Sequence, residues 1–214
     1  MRVLVVGGLG SIGRRYCAIL RYLGIEYEVL DIQKMRIDGS ALLTDNIFDL
    51  NDCVFDKAII ATTTDTHFRY CKRLIEIGKP FLCEKPLSKN LEECKELVEL
   101  DQQKLGFIVN NYRHCLPVPS KRISYNYFNT GSDEALWDAC QLIYLDPNAE
   151  IMTSSPIWEL SCNLGTEISY RSLENSYVEM IQNFILDRKI YLWTLEDGLK
   201  MTQAVLDRIQ RENK

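Results

Sequence analysis

Apolar runs of strand length alternate with amphipathic stretches of helix length from residue 2 to about residue 110. Arg2–Val6 carries four β-formers in a row without alternation, the mark of a strand buried on both faces. Residues 11–23 then place Ile12, Tyr16, Ile19, Leu20 and Leu23 at helical spacing, and Gly24 stops them. A second strand is expected over 27–31 and a third, Ala-Ile-Ile-Ala, over 56–61. Residues 66–77 read as a helix closed by Gly78 and Pro80, and Phe81–Cys83 as a short strand. A long charged helix over 91–105 follows the cap Asn90, and 107–110 is the last strand of this half. Such alternation implies right-handed βαβ units and a doubly wound parallel sheet.

The pattern changes after Leu116-Pro117-Val118-Pro119. Residues 122–128 alternate as a strand does, and 135–145 look helical. Residues 155–162 and 166–171 look like antiparallel strands joined by a turn at Asn163-Leu164-Gly165. Helices are expected over 173–186 and over 194–210, the latter opened by Thr194 with Asp197 three residues on. The expected organisation is therefore α/β: a dinucleotide-binding domain over 1–118, and a small α+β region over 119–214 with a short antiparallel sheet of about three strands.

Composition narrows the class of function. The 25 Lys+Arg against 30 Asp+Glu give a net charge of −5, and neutralising a phosphate backbone needs a clustered basic surface, so a nucleic-acid partner is not expected. No apolar run approaches the roughly 20 residues that cross a bilayer, and the opening Val3–Val6 stretch is too short for a signal-peptide core. A cytoplasmic protein is expected. The eight cysteines approach no closer than eleven residues, so no CxxC pair forms, and they read as reduced, buried thiols. With that spacing and two histidines, no metal site is expected.

Directly after the first strand comes Gly7-Gly8-Leu9-Gly10-Ser11-Ile12-Gly13, a GxGxxG pattern at 8, 10 and 13. Gly8 is read as permitting the tight turn, Gly10 as admitting a pyrophosphate, and Gly13 as allowing close helix–strand packing. The N–H groups at the start of the Ser11 helix would face the diphosphate, so Ser11 and Ile12 join the expected contacts. Asp31, 18 residues after Gly13, ends the next strand beside Ile32, where a carboxylate accepts from both ribose hydroxyls of NAD. Lys34 and Arg36 just beyond leave NADP open. Two further strand ends carry polar clusters beside this turn: Thr62-Thr63-Thr64-Asp65-Thr66-His67 and Glu84-Lys85-Pro86-Leu87-Ser88. Lys85, at a strand's C-terminal end, would polarise a substrate oxygen and move its proton.

Three blocks, residues 3–15, Ala58-Ile59-Ile60-Ala61-Thr62…His67, and Gly78-Lys79-Pro80 with Cys83-Glu84-Lys85-Pro86-Leu87-Ser88, resemble the Gfo/Idh/MocA oxidoreductases over residues 1 to about 113. The resemblance implies NAD(P) binding involving Thr62, Thr63, His67 and Glu84, a catalytic Lys85, a cis peptide at Lys85–Pro86, and substrate-facing polar residues at Asn111, Tyr112 and Arg113. It implies a sugar, sugar acid or nucleotide-sugar-like substrate. Members typically exceed 300 residues, so at 214 much of the second sheet is expected to be missing. Where sugar-active members carry an Asp and, four residues on, an acid/base His, this chain has Asp138 with Gln141 or Leu142. Glutamine hydrogen-bonds a hydroxyl without taking its proton.

Two readings stand from this. One is a hydride-transferring enzyme using Lys85, Asp138 and Gln141; the other is a dinucleotide-binding sensor or regulator without turnover. A third, an interaction subunit with a decayed site, has the intact glycines against it. An apolar face carrying Tyr125, Tyr127, Trp158 and Leu160 on the second sheet leads to the expectation of a homodimer or higher homo-oligomer.

Overall fold

The computed structural model describes residues 1–32, 50, 54–116, 123–127, 132–153, 159–162, 166–167 and 170–213, in two compact units, Met1–Val109 and Asn110–Lys214. The expected turn at 163–165 and Lys34, Arg36, Cys53 and Trp158 lie outside the described residues.

In the first unit, β1 (Arg2–Val6), β2 (Glu26–Leu30), β3 (Lys57–Ile60), β4 (Phe81–Cys83) and β5 (Gly106–Ile108) run parallel in the order β5-β4-β3-β1-β2. Val3 to Val6, Ala58 to Ile60 and Phe81 to Cys83 are all essentially buried, as unalternating apolar runs require of a sheet covered on both faces. The chain leaves β1 through α1 (Ser11–Tyr22) to β2 on one side, and resumes at β3 on the other. Strand order therefore reverses at the β1/β3 edge, and ligands of open α/β sheets bind beyond the C-terminal ends of the strands at such a reversal.

Helices α1 and α2 (Thr64–Glu76) both end in a Schellman arrangement. Gly24 and Gly78 stand at φ +69° and +68°, with Ile25 N–H reaching Leu20 C=O and Lys79 N–H reaching Leu74 C=O. Helix α3 (Leu91–Leu100) begins on the Asn90 cap, whose side chain accepts from Glu92 N–H at 2.9 Å, but stops five residues short of the expected 105. The reason is Asp101: its buried carboxylate accepts from Leu105 N–H at 2.8 Å and Gly106 N–H at 2.9 Å, so it turns the chain into β5 instead of continuing the helix.

In the second unit, α4 (Asn111–Cys115), α7 (Tyr170–Ile185) and α8 (Leu195–Glu212) accompany a four-stranded sheet of order β7-β6-β8-β9. Its strands are β6 (Ser124–Tyr127), β7 (Glu150–Thr153), β8 (Glu159–Cys162) and β9 (Thr166–Glu167). β6 pairs antiparallel with β8, and β8 with β9, as expected; β7 is a fourth strand, parallel to β6, that the short Glu-Ile-Met-Thr run does not announce. The helix expected over 135–145 is two, α5 (Ser132–Asp138) and α6 (Cys140–Leu145), parted at Ala139 with ψ 9°. Residues 135, 136, 137, 139, 140, 142 and 143 are all buried apolar positions, too many for one stripe of a straight helix, and the break gives each half its own inward face. Leu160, expected on an exposed sheet face, is fully buried.

Among the described cysteines, six are buried free thiols and Cys115 is half-buried. No helix among the described residues is long and apolar enough to cross a membrane.

Candidate nucleotide-binding site

The turn after β1 is shaped by two glycines. Gly7 takes φ +80°, and a Cβ there would stand 2.7 Å from the Ala61 carbonyl oxygen of the neighbouring strand. Gly13 lies so close under the turn that a Cβ would meet the Gly7 oxygen at 2.1 Å. The left-handed residue is thus Gly7, not Gly8 as the motif spacing suggests; Gly8 is small because Val29 of β2 lies against it. Gly10 differs from all three, since the nearest atom to a Cβ there is 3.4 Å away and the residue lines a cavity.

That cavity, about 420 Å³, opens at the C-terminal ends of β1, β2 and β3. Gly10, Ser11 and Ile12 line it from the turn, Asp31 and Ile32 from the end of β2, and Thr62 and Thr63 from the end of β3. The first helical bond of α1 runs from Arg14 N–H to Gly10 C=O at 2.9 Å, so the N–H groups of Ser11, Ile12 and Gly13 precede the helical ladder. No acidic side chain occupies that first turn to compete for an anion. Asp31 reaches back to the turn, one carboxylate oxygen accepting from Leu9 N–H at 2.8 Å. The residue that would meet a ribose therefore also fixes the loop that would meet the diphosphate. Beneath the loop, the Cys17 thiol lies 3.9 Å from the Gly8 oxygen, and burial pushes its pKa up to about 11.

Three further residues line the cavity from α2: Thr66, Arg69 and Tyr70. Their i, i+3, i+4 spacing makes one face of that helix, which was the available signal in the sequence. The Thr66 hydroxyl lies 2.7 Å from that of Thr62 and 2.8 Å from the Thr63 carbonyl oxygen, tying the helix start to the end of β3. The Thr63 hydroxyl holds the Asp65 carboxyl below its usual range. Arg69 brings a guanidinium to the cavity wall, 5.1 Å from the Tyr70 ring centre.

His67, Glu84 and Lys85 are not among the lining residues. His67 is buried, one ring nitrogen 2.8 Å from the Pro86 carbonyl oxygen and the other 3.1 Å from that of Thr62, so it fastens the end of β3 to the turn after β4. Glu84, also buried, accepts from the Tyr16 hydroxyl of α1 through one oxygen, and from Lys85 N–H at 3.1 Å through the other. Both side chains hold the elements around the cavity together. Lys85 stands half-exposed on this turn, and the Lys85–Pro86 peptide is cis.

In the second unit, Asn111 and Tyr112 are buried in α4, with Arg113 half-buried beside them. Gln141 of α6 is fully buried and clamps the start of α4: its Nε2 donates to Asn111 Oδ1 at 2.9 Å, and its Oε1 accepts from Tyr112 N–H at 3.4 Å. Its amide is thus engaged within the unit rather than presented to a substrate. Asp138 ends α5, half-buried, three residues before it.

The residues of the first unit suit a dinucleotide: an open position at Gly10, helix N–H groups beside it, a carboxylate at the end of β2, and a cavity of ligand size. Solved structures share this fold. A probable dehydrogenase from Thermotoga maritima aligns with 100% of this chain and 98% of its own at TM-score 0.74 and 16% identity. A myo-inositol dehydrogenase from Corynebacterium glutamicum aligns with 98% and 96% at 0.71 and 14%. The WlbA dehydrogenase from Thermus thermophilus, solved with NAD and UDP-GlcNAcA, aligns with 97% and 94% at 0.70 and 15%. Among curated proteins, the uncharacterized oxidoreductase YhhX of Escherichia coli is 40% identical over 65 residues, 30% of this chain and 19% of that protein. Inositol 2-dehydrogenase 2 of Saccharopolyspora erythraea is 30% identical over 66 residues, 31% of this chain and 20% of that protein. These matches span about one fifth of each curated relative. The family model of the GFO/IDH/MocA oxidoreductases, described by an NAD-binding Rossmann fold, matches residues 1–112, and the chain belongs to that family.

Proposed function

We propose that the chain is an NAD-dependent oxidoreductase acting on a hydroxyl or carbonyl of a sugar, sugar acid or nucleotide-sugar-like molecule. The observation that carries this is the Gly10 cradle with Asp31 locked to it through Leu9 N–H. Ser11, Ile12, Thr62 and Thr63 line the cavity and would hold the diphosphate and the nicotinamide-side ribose, while Asp31 and Ile32 would hold the adenosine side. Bound there, the dinucleotide would accept the hydride from a hydroxyl-bearing carbon or, in its reduced form, give one to a carbonyl. Lys85 would donate to the substrate oxygen and carry its proton. Glu84, His67 and Gln141 act as positioning residues, and Asn111, Tyr112 and Arg113 of α4 as the substrate-facing stretch. Asp31 disfavours a 2′-phosphate, so NADH is expected to bind about tenfold more tightly than NADPH.

Titration with each reduced cofactor, followed by energy transfer from the three tryptophans to the nicotinamide, tests this. Saturable NADH binding is expected; no binding of either cofactor overturns the proposal, and tighter NADPH binding overturns the choice of NAD. Turnover of a polyol or sugar that survives Lys85→Met unchanged would remove that residue from the mechanism.

A second reading has an observation of its own. The position at which sugar-active family members carry the acid/base imidazole falls on Gln141 or Leu142, neither of which takes a proton, and the Gln141 amide is engaged with Asn111 and Tyr112. A dinucleotide sensor without turnover fits that substitution. Tight NADH binding with no hydride exchange across a panel of sugars would select it. For either reading we take the chain to pair with itself through the second sheet, whose outer strands among the described residues are β7 and β9. A strict monomer by light scattering at micromolar concentration overturns the pairing.

A further inference from the structure

Arg69 and Ile32 line the cavity from different elements, Arg69 from α2 and Ile32 from the end of β2. Among the described residues that line it, Asp31 and Arg69 carry the charges, one of each sign. Asp31 has its task at the ribose and the turn; Arg69 has none in the dinucleotide reading so far. Glu84 and Lys85 do not line the cavity, so the part of a dinucleotide it suits is the adenosine half, with the reacting ring beyond it.

The two walls differ in chemistry. Ile32 is 71% exposed, an aliphatic surface that stays in water until a ligand covers it. Tyr70 is only 4% exposed, and the Arg69 guanidinium stands 5.1 Å over the centre of its ring. A ligand thus meets the exposed guanidinium rather than a bare tyrosine face, and a guanidinium resting on one ring keeps a second planar face for another. The neighbouring threonines give nothing to the ring nitrogens of a purine. The Thr66 hydroxyl lies 2.8 Å from the Thr63 carbonyl oxygen and 2.7 Å from the Thr62 hydroxyl. The carbonyl can only accept, so Thr66 donates to it and Thr62 donates to Thr66. The Thr63 hydroxyl donates to the Asp65 carboxylate. All three hydroxyl hydrogens are spent.

We propose that Arg69 is the residue that recognises the base of the dinucleotide: its guanidinium and the Ile32 side chain hold adenine by its two faces, and the site selects a planar base without reading the hydrogen-bonding groups on its edge. This rests on the dinucleotide reading above and deepens it, giving the α2 wall a part in specificity that the glycine turn and Asp31 do not supply.

Calorimetric titration of the full-length chain tests this with three probes: NADH, its hypoxanthine analogue, in which donor and acceptor on the base edge are exchanged, and ADP. The analogue is expected to bind within about threefold of NADH; a loss of about tenfold or more would mean that the edge is read, and overturns the proposal. Two substitutions separate plane from charge at this exposed position. Arg69→Phe keeps a plane without the charge and should stay within about threefold of the parent for NADH and ADP. Arg69→Lys keeps the charge without the plane and should weaken both about tenfold. A Phe variant as weak as the Lys variant, or weaker, overturns the stack, and a Lys variant that alone keeps the parent affinity assigns Arg69 to a phosphate instead. Equal affinities in all three chains, with NADH still bound, remove only the role of Arg69. ADP bound in an Arg69-dependent way without NADH binding removes only the dinucleotide assignment, and binding of neither removes both.

Discussion

A Cβ built on Gly13 would stand 2.1 Å from the Gly7 carbonyl oxygen, a backbone atom with no room to retreat; on Gly10 the nearest atom is 3.4 Å away. The two positions should therefore separate stability from binding. Gly13→Ala forces the helix off the turn and should lower stability by about 3 kcal/mol, read by urea denaturation. Gly10 is the N-cap of α1 with φ −68°, a value alanine adopts, so Gly10→Ala should stay within about 1 kcal/mol of the parent. Gly10→Val adds branched bulk to the cavity wall and should weaken NADH binding about tenfold or more while leaving the unfolding midpoint nearly in place. If Gly10→Val unfolds as easily as Gly13→Ala, the Gly10 position is structural and the cradle argument fails. These differences also mark the limit of motif reading. The pattern correctly picks the loop, but the left-handed residue is Gly7, a position the spacing of 8, 10 and 13 passes over, because only the approach of Ala61 from β3 decides which glycine must turn.

Helix α8 shows a local signal surviving intact into the fold. Thr194 and Asp197 form the expected capping box: Thr194 Oγ1 accepts from Asp197 N–H at 3.4 Å, and Asp197 Oδ2 accepts from Thr194 N–H at 2.9 Å. The structure adds a second use of the same carboxylate, since Asp197 Oδ1 accepts from the Tyr144 hydroxyl of α6 at 2.8 Å, and burial together with that contact raises the Tyr144 pKa. Thr194→Ala should thus cost about 1 kcal/mol, whereas Asp197→Ala, which also strips Tyr144 of its acceptor, should cost about 2–3 kcal/mol. Thermal melts of the two variants check this, and equal losses would mean the Tyr144 contact contributes nothing. Elements set by contiguous residues were legible in this way: the unalternating strands, the glycine stops at 24 and 78, and the Asn90 and Thr194 caps. Elements decided by burial or by a partner outside the run itself were not. The end of α3 depends on the buried Asp101, the break at Ala139 on two separate burial faces, and β7 on the β6 edge it joins. The same holds at the site, where Thr66, Arg69 and Tyr70 lie on a helix face that reads as solvent-facing until the ends of β1 and β2 are placed opposite it.

At the scale of the molecule, the chain folds as two units with cores of their own, one around Val3–Val6, Ala58–Ile60 and Phe81–Cys83, the other around Leu136, Ile143, Met180, Phe184, Met201 and Val205. The cavity assigned to the dinucleotide belongs wholly to the first. Any ligand that binds the folded state and not the unfolded one stabilises it by mass action, so NADH at a hundred times its dissociation constant should add about 2.7 kcal/mol. For a chain of 214 residues that corresponds to a rise of roughly 5–10 °C in the melting temperature, followed by circular dichroism. Gly10→Val, with its cavity blocked and its fold kept, should show little of this rise at the same NADH concentration. Asp31→Asn should show part of it, because an amide oxygen still accepts from Leu9 N–H and holds the loop, while the charge that favours the ribose hydroxyls is gone. A stabilisation by NADH equal in all three chains would place the bound dinucleotide elsewhere than the turn after β1.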